Sequence, residues 1–154
     1  GPFAASISSR VLPARMNAVL DMLMSLRRRP VFSNPRRTFG KTLAEQGVIR
    51  EWAAHSRILI EQARLMVLNA AERMDEVGPK GARRAIAMIK VSAPAMLFQV
   101  LDWAIQAHGA AGVTVDAGLA YSYARARTMR IVDGPDEVHL NQLGKDEIAR
   151  WATV

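Results

Sequence analysis

Residues 106–138 read QAHGAAGVTVDAGLAYSYARARTMRIVDGPDEV, and the fold turns on this stretch. A long apolar helical pattern stops at Gly109, and a glycine-bearing turn follows. A short helix over 119–130 then carries Arg125, Arg127 and Arg130. The stretch closes on Ile131-Val132-Asp133-Gly134-Pro135-Asp136, which sets one carboxylate between apolar residues and a Gly-Pro turn at the mouth of another helix. Helices joined by turns this short have to fold back on one another, which gives antiparallel neighbours.

Upstream, Ile86, Ile89, Ala93, Met96, Val100, Trp103 and Ala107 share one face of a helix predicted over 80–107. Pro94 lies inside it, and the register that continues past the proline predicts a kink instead of a break. Before it, Ile49, Trp52, Leu59, Ala63, Met66, Ala70 and Met74 form a stripe that predicts one helix over 44–77, about 45–50 Å long. Gly78-Pro79 ends it. Met66 and Met74 read as core filler, and His55 as a rim residue. Downstream, Leu140, Leu143, Ile148 and Trp151 mark the apolar side of a last helix over 136–151. Trp52, Trp103 and Trp151 are expected to anchor the core.

At the other end, Met16, Val19, Leu20, Leu23 and Leu26 predict a helix that begins near Pro13 and finishes at Arg27-Arg28-Arg29 before Pro30 and Pro35. Gly1-Pro2 matches what protease removal of a tag leaves behind, and is set aside. No stretch alternates apolar and polar residues as a strand would. The expected fold is all-α, an antiparallel helix bundle of four to five helices. It is one domain overall, with an N-terminal segment (1–35) holding one helix and the bundle proper over 36–154.

Composition narrows the chemistry. With 154 residues, half of them apolar, the chain is long enough for a real core. No cysteine is present, which excludes disulfides and thiol catalysis, and the three histidines lack metal-ligand spacing. The absence of a continuous apolar run of about 18–20 residues predicts a soluble protein without a membrane span. The net charge of +7 suits polyanions: nucleic acid, anionic lipid or phosphate-bearing cofactors. Arg125, Arg127 and Arg130 lack the interleaved aromatics of a base-stacking platform, so nucleic acid is not the expected partner.

On the residues alone, Asp133 or Gly134 reads as the cap of the last helix, with Pro135 in its first turn. Gly109 reads as a helix C-cap, with His108 beside it contacting helix-end carbonyls. Arg36-Arg37-Thr38-Phe39-Gly40-Lys41 reads as a basic turn with Phe39 as a core anchor. A second role is compatible with capping at Asp133. Ile131 and Val132 would help desolvate its carboxylate, raising its pKa from about 3.9 and suiting it to remove a carbon-bound proton.

Three segments in this order resemble the C-terminal signature of the flavin-dependent acyl-CoA dehydrogenases. Asp133 to His139 is similar to the subgroup whose last turn reads D-G-P-D-E-V-H. The resemblance implies that Asp133 is the base that takes the α-proton of an acyl-CoA thioester, while hydride leaves the β-carbon for FAD. Arg36, Thr38 and Phe39 match the family's R-x-T-F-G-K box, which implies contact with the FAD of a neighbouring subunit. Residues 106–112 resemble its Q-x-x-G-G-x-G segment, with Gln106 and Gly109 matching and Ala110 in place of the second Gly, and the Gln and glycines of that segment line the adenine and pyrophosphate end of FAD from a partner subunit. The sequence departs from the family in three places. Asp133 is one methylene shorter than the usual Glu. Pro135 and Glu137 stand where flavin-contacting Thr and Gln occur, and Ala110 replaces a glycine.

The resemblance further implies a homo-oligomer, dimer or tetramer, in the cytoplasm or in a mitochondrial or peroxisomal matrix. Family members also carry an N-terminal helical domain and a middle β-domain, which form much of the pocket. This chain, on its own, is therefore expected to bind FAD weakly or not at all and to be inactive. Two other readings rest on the residues: a helical oligomerisation or partner-subunit module without flavin, and a basic domain that binds polyanions.

Overall fold

The computed structural model describes residues 37–152. The N-terminal helix expected near 13–29, and Arg36, lie outside the described residues.

Among the described residues, four helices make the fold: α1 (Gly47–Gly81), α2 (Arg83–His108), α3 (Leu119–Met129) and α4 (Asp136–Trp151). Short 3-10 turns at Leu43–Glu45 and Gly109–Val113 precede α1 and follow α2. The all-α expectation holds. One element departs from it, a hairpin of two-residue strands, Arg37–Thr38 and Lys41–Thr42, turning at Phe39-Gly40. A period-two pattern cannot register over two residues, so strands this short leave no periodic signal.

Antiparallel packing follows from which residues meet. Buried clusters group Ile49 with Ala107, Ala63 with Ala93, and Val67 with Ile89, so α2 descends as α1 ascends. The regular part of α1 ends at Gly78, whose φ of 70° and ψ of 176° are open to glycine far more readily than to other residues. Only Ala82 separates α1 from α2. Helix α2 continues through Pro94 as one element, as its register predicted.

Helix α2 is the centre of the molecule, packed against α1, α3 and α4 alike. Leu101, Val100 and Pro94 on it are fully buried, with Val67 of α1. Its composition reflects that place: the stretch 83–113 is long and apolar enough to cross a membrane. Lys90 and Asp102 punctuate the stretch, so it holds no uninterrupted apolar run of spanning length. Here the stretch is the core helix, and 44% of that apolar window is buried in the bundle.

Helix α4 spans the predicted residues, yet its packing differs from expectation. Trp151 is 73% exposed and Ile148 72% exposed, and Leu140 is exposed as well, so none of the three is a core anchor in this chain. The helix is instead held to α2 by polar contacts: Arg84 bonds Glu147, and Arg83 stands 3.9 Å from Asp146. Trp52 and Trp103 are half-buried, and His55, an exposed residue, lies 6.1 Å from the Trp103 ring.

Candidate functional site

The site residues named from sequence fall at opposite ends of α2. At its C-terminal end stand Gln106, Gly109 and Ala110, and the hairpin carrying Thr38 and Phe39 lies at the same end. Leu43 and Ile49, which follow the hairpin, cluster with Ala107. Asp133 lies toward the other end, where the Lys90 ammonium reaches the carbonyl of Gly134 at 3.4 Å. From Lys90 to Gln106 is sixteen residues of helix, ~24 Å at about 1.5 Å per residue. One chain therefore does not bring Asp133 and the cofactor candidates into one pocket.

The hairpin end is built locally. Phe39 and Gly40 both have positive φ, 53° and 77°, as the turn of a two-residue hairpin requires. Phe39 is fully exposed, which corrects its expected place in the core. Its ring is offered outward by a left-handed backbone that a bulky residue seldom adopts. Gln46 Nε2 donates to the Thr38 carbonyl at 3.1 Å and steadies the strand behind it. Glu45 accepts hydrogen bonds from the Thr42 amide at 2.6 Å and the Thr42 hydroxyl at 2.8 Å. Those bonds, the amide's first, hold the Glu45 carboxyl below its ordinary 4.5.

The glycine turn beyond α2 is organised by two residues. Gly109 ends the helix at φ 59° and ψ −141°. The His108 ring nitrogen Nδ1 lies 2.8 Å from the Ala104 carbonyl, the helix-end contact expected of it. Gly112, the last glycine of the 106–112 segment, is tightly placed: a Cβ there would meet the Ile105 carbonyl oxygen at 2.6 Å. Gln106 and Ala110 are exposed beside it.

At the other end, Asp133 is exposed, with φ 60°, and Gly134 follows at φ 99°. It does not cap α4. Pro135 is the N-cap, at φ −67° and ψ 159°, and makes no side-chain cap bond. Proline thus sits one position before the helix, where its fixed φ suits the extended entry, and not inside the first turn as expected. The expected apolar cover is thin: Ile131 and Val132 are 57% and 48% exposed.

Arg130 and Asp136 bracket the turn. Arg130 Nε donates to Asp136 Oδ2 at 2.6 Å, and Asp136 is 4% exposed. The Asp136 amide also donates to the Arg130 carbonyl at 3.3 Å, closing the loop 131–135 at its base. Lys90 donates to the Met129 carbonyl at 2.5 Å and to that of Gly134. His139 Nε2 is buried and lies 3.1 Å from where a Cβ on Gly134 would sit. In the sequence, Arg130 belongs to a basic run and Asp136 to the first turn of a helix. The available signal was an Arg and an Asp six residues apart across a Gly-Pro turn.

Comparisons with known proteins bear on this arrangement. The family described as "Acyl-CoA dehydrogenase, C-terminal domain" matches residues 8–148. The chain is 53% identical over 115 residues to the probable acyl-CoA dehydrogenase IBR3 of Arabidopsis thaliana, covering 75% of this chain and 14% of that protein. It is 45% identical over 150 residues to the probable acyl-CoA dehydrogenase FadE2 of Mycobacterium tuberculosis, covering 97% of this chain and 35% of that protein. A structure from Mycobacterium abscessus described as an acyl-CoA dehydrogenase superposes with a TM-score of 0.77 at 42% identity. That match covers 89% of this chain and 33% of the other. The chain thus spans between a seventh and about a third of the relatives it matches. These relatives include bacterial and eukaryotic proteins, and structures with FAD bound are among those that share the fold.

Proposed function

The chain belongs to the acyl-CoA dehydrogenase family, as its C-terminal domain, and from that premise we propose that Asp133 is the base of an FAD-dependent α,β-dehydrogenation of an acyl-CoA thioester. The observation that carries this reading is the turn itself. It holds an exposed carboxylate in a left-handed backbone at the mouth of α4, tied at both ends to other parts of the bundle. Functional sites are where such backbone strain is expected, provided the surroundings fix it. Asp133 would accept the α-proton on a carboxylate oxygen. FAD, when bound, supplies the hydride acceptor. The subgroup with the D-G-P-D-E-V-H turn is the one this chain fits, with the shorter Asp side chain requiring the backbone of the turn to approach the substrate more closely than a Glu would.

The ~24 Å between the two ends of α2 fits two different sites. Asp133 would serve one flavin. Arg36, Thr38 and Phe39, with Gln106, Gly109 and Ala110, would reach the FAD of a neighbouring copy in a homo-oligomer. The outward Phe39 ring supports this, because nothing among the described residues covers it. By itself the chain is expected to be inactive, since the remainder of the pocket comes from regions it does not span.

The test is Asp133→Asn in the FAD-loaded protein that carries this domain. Asparagine tolerates the left-handed backbone, so the change removes charge with little strain. Loss of a positioned general base lowers turnover by roughly a hundredfold or more, read as the rate at which acyl-CoA bleaches the flavin. Unchanged bleaching refutes the assignment.

A second reading is favoured by the uncovered apolar side chains of α4, Ile148 and Trp151 among them: a helical module that assembles with a partner subunit and holds no flavin. An assembled protein that remains colourless when supplied with FAD would favour it.

A further inference from the structure

We propose that Lys90 is a positioning residue that sets where Asp133 stands relative to the central helix, an inference that rests on the reading of Asp133 as the base. Its ammonium leaves α2 and bonds two carbonyls that belong to opposite sides of the turn. Met129 O, at 2.5 Å, lies at the C-terminal end of α3, and Gly134 O, at 3.4 Å, directly follows Asp133 in the chain.

The last carbonyls of a helix have no partner within it and carry the negative end of its dipole, so a cation there answers both needs. A lysine suits the geometry because three rotatable donors radiate from one compact charge and can converge on two oxygens. The contact also spans 39 residues of sequence to Met129 and 44 to Gly134. It therefore fixes the turn to the core and not merely to its own neighbours.

The local bonds do not do this alone. Asp136 to Arg130 closes the base of the loop, and Ile131 and Val132 amides donate to Thr128, but these bonds join α3, the turn and the start of α4 to one another. They hold only while the end of α3 and the start of α4 stay together. Among the described residues, Lys90 bonds both sides of the turn to α2. A carboxylate that must meet a carbon-bound proton loses rate steeply with small misplacement, while substrate affinity, carried elsewhere, changes little.

Amide hydrogen exchange on the 154-residue chain tests the inference without cofactor. Lys90→Met keeps the stem and removes the donors; Lys90→Arg keeps the charge. Exchange at Ile131, Val132 and Asp136 should rise about tenfold or more in Lys90→Met and less in Lys90→Arg, with Val67 in α1 unchanged. Equal exchange at those three amides in a folded Lys90→Met chain overturns the proposal. If that variant does not fold, Lys90→Arg decides: a rise confined to the three amides supports the proposal, and no rise overturns it. In the FAD-loaded protein, Lys90→Met should lower kcat about tenfold with KM within about twofold and an increased isotope effect from α-deuterated substrate. A fall in flavin content in place of the kcat loss overturns it. Full turnover in Asp133→Asn would sink the base assignment alone, since the exchange result stands apart from it.

Discussion

Two turns in this protein solve the same backbone problem by different means. Phe39-Gly40 and Asp133-Gly134 each place a side-chain-bearing residue at positive φ and follow it with a glycine at positive φ. The first is held by residues close in sequence: paired two-residue strands, Gln46 on Thr38, and Glu45 on Thr42. The second is held by a buried ion pair across its base and by a lysine from a helix about forty residues away. A locally supported turn can tolerate loss of one bond, because several weak contacts share the work. A turn fastened by a charge pair with one buried partner and by a single distant lysine is more sensitive to losing either.

The contrast would break most visibly at Asp136. Removing one partner of a buried ion pair strands the other charge, at a cost of about 3 kcal/mol once the part-exposure of Arg130 is allowed for. Asp136→Ala should lower the melting temperature by roughly 10 °C in thermal unfolding. Should it unfold within a degree or two of the parent, the pair is not what fastens the turn.

A paired glycine experiment sharpens the comparison. Gly134→Ala meets a φ of 99° and the His139 ring at 3.1 Å, whereas Gly40→Ala meets a φ of 77° and open space. Backbone strain alone costs about 1 kcal/mol at Gly40. The crowded Gly134 should cost about 2 kcal/mol or more, because the ring must also move. Urea denaturation of the two variants should rank them in that order, and the reverse order would contradict the packing described for His139.

The smallest effect is expected at the hairpin, from acid. Glu45 has a folded-state pKa below its ordinary 4.5, so its contribution is present above that value and is lost as pH falls through the lowered one. Amides near Thr42 should lose protection on acidification below about pH 4.5, and Glu45→Gln should abolish that pH dependence. Because Glu45 is fully exposed, global stability should barely register it.

The helices were legible because their signals are periodic and repeated. The stripe from Ile49 to Met74 and the face from Ile86 to Ala107 each offered several residues at helical spacing, and both faces are the ones that pack. The last helix was bounded correctly at Asp136 and Trp151, yet its apolar side was assigned to the core when Ile148 and Trp151 face outward. Periodicity says that a face is apolar. It cannot say whether this chain or another covers it. Asp133 was named as a candidate through a short ordered motif, while Lys90 and the Arg130–Asp136 bridge were not, since each acts on atoms brought near only by folding.

The sequence by itself determined that this is an all-helical bundle, where its rods start and stop, and which residue types stand at its turns, because each of these depends on neighbours a few positions apart. Only the tertiary structure decided that the candidate base and the candidate cofactor contacts lie at opposite ends of one buried helix, and which distant lysine bonds the turn that carries Asp133. Those facts depend on how the rods lie against each other, and a linear string of residues does not contain that distance.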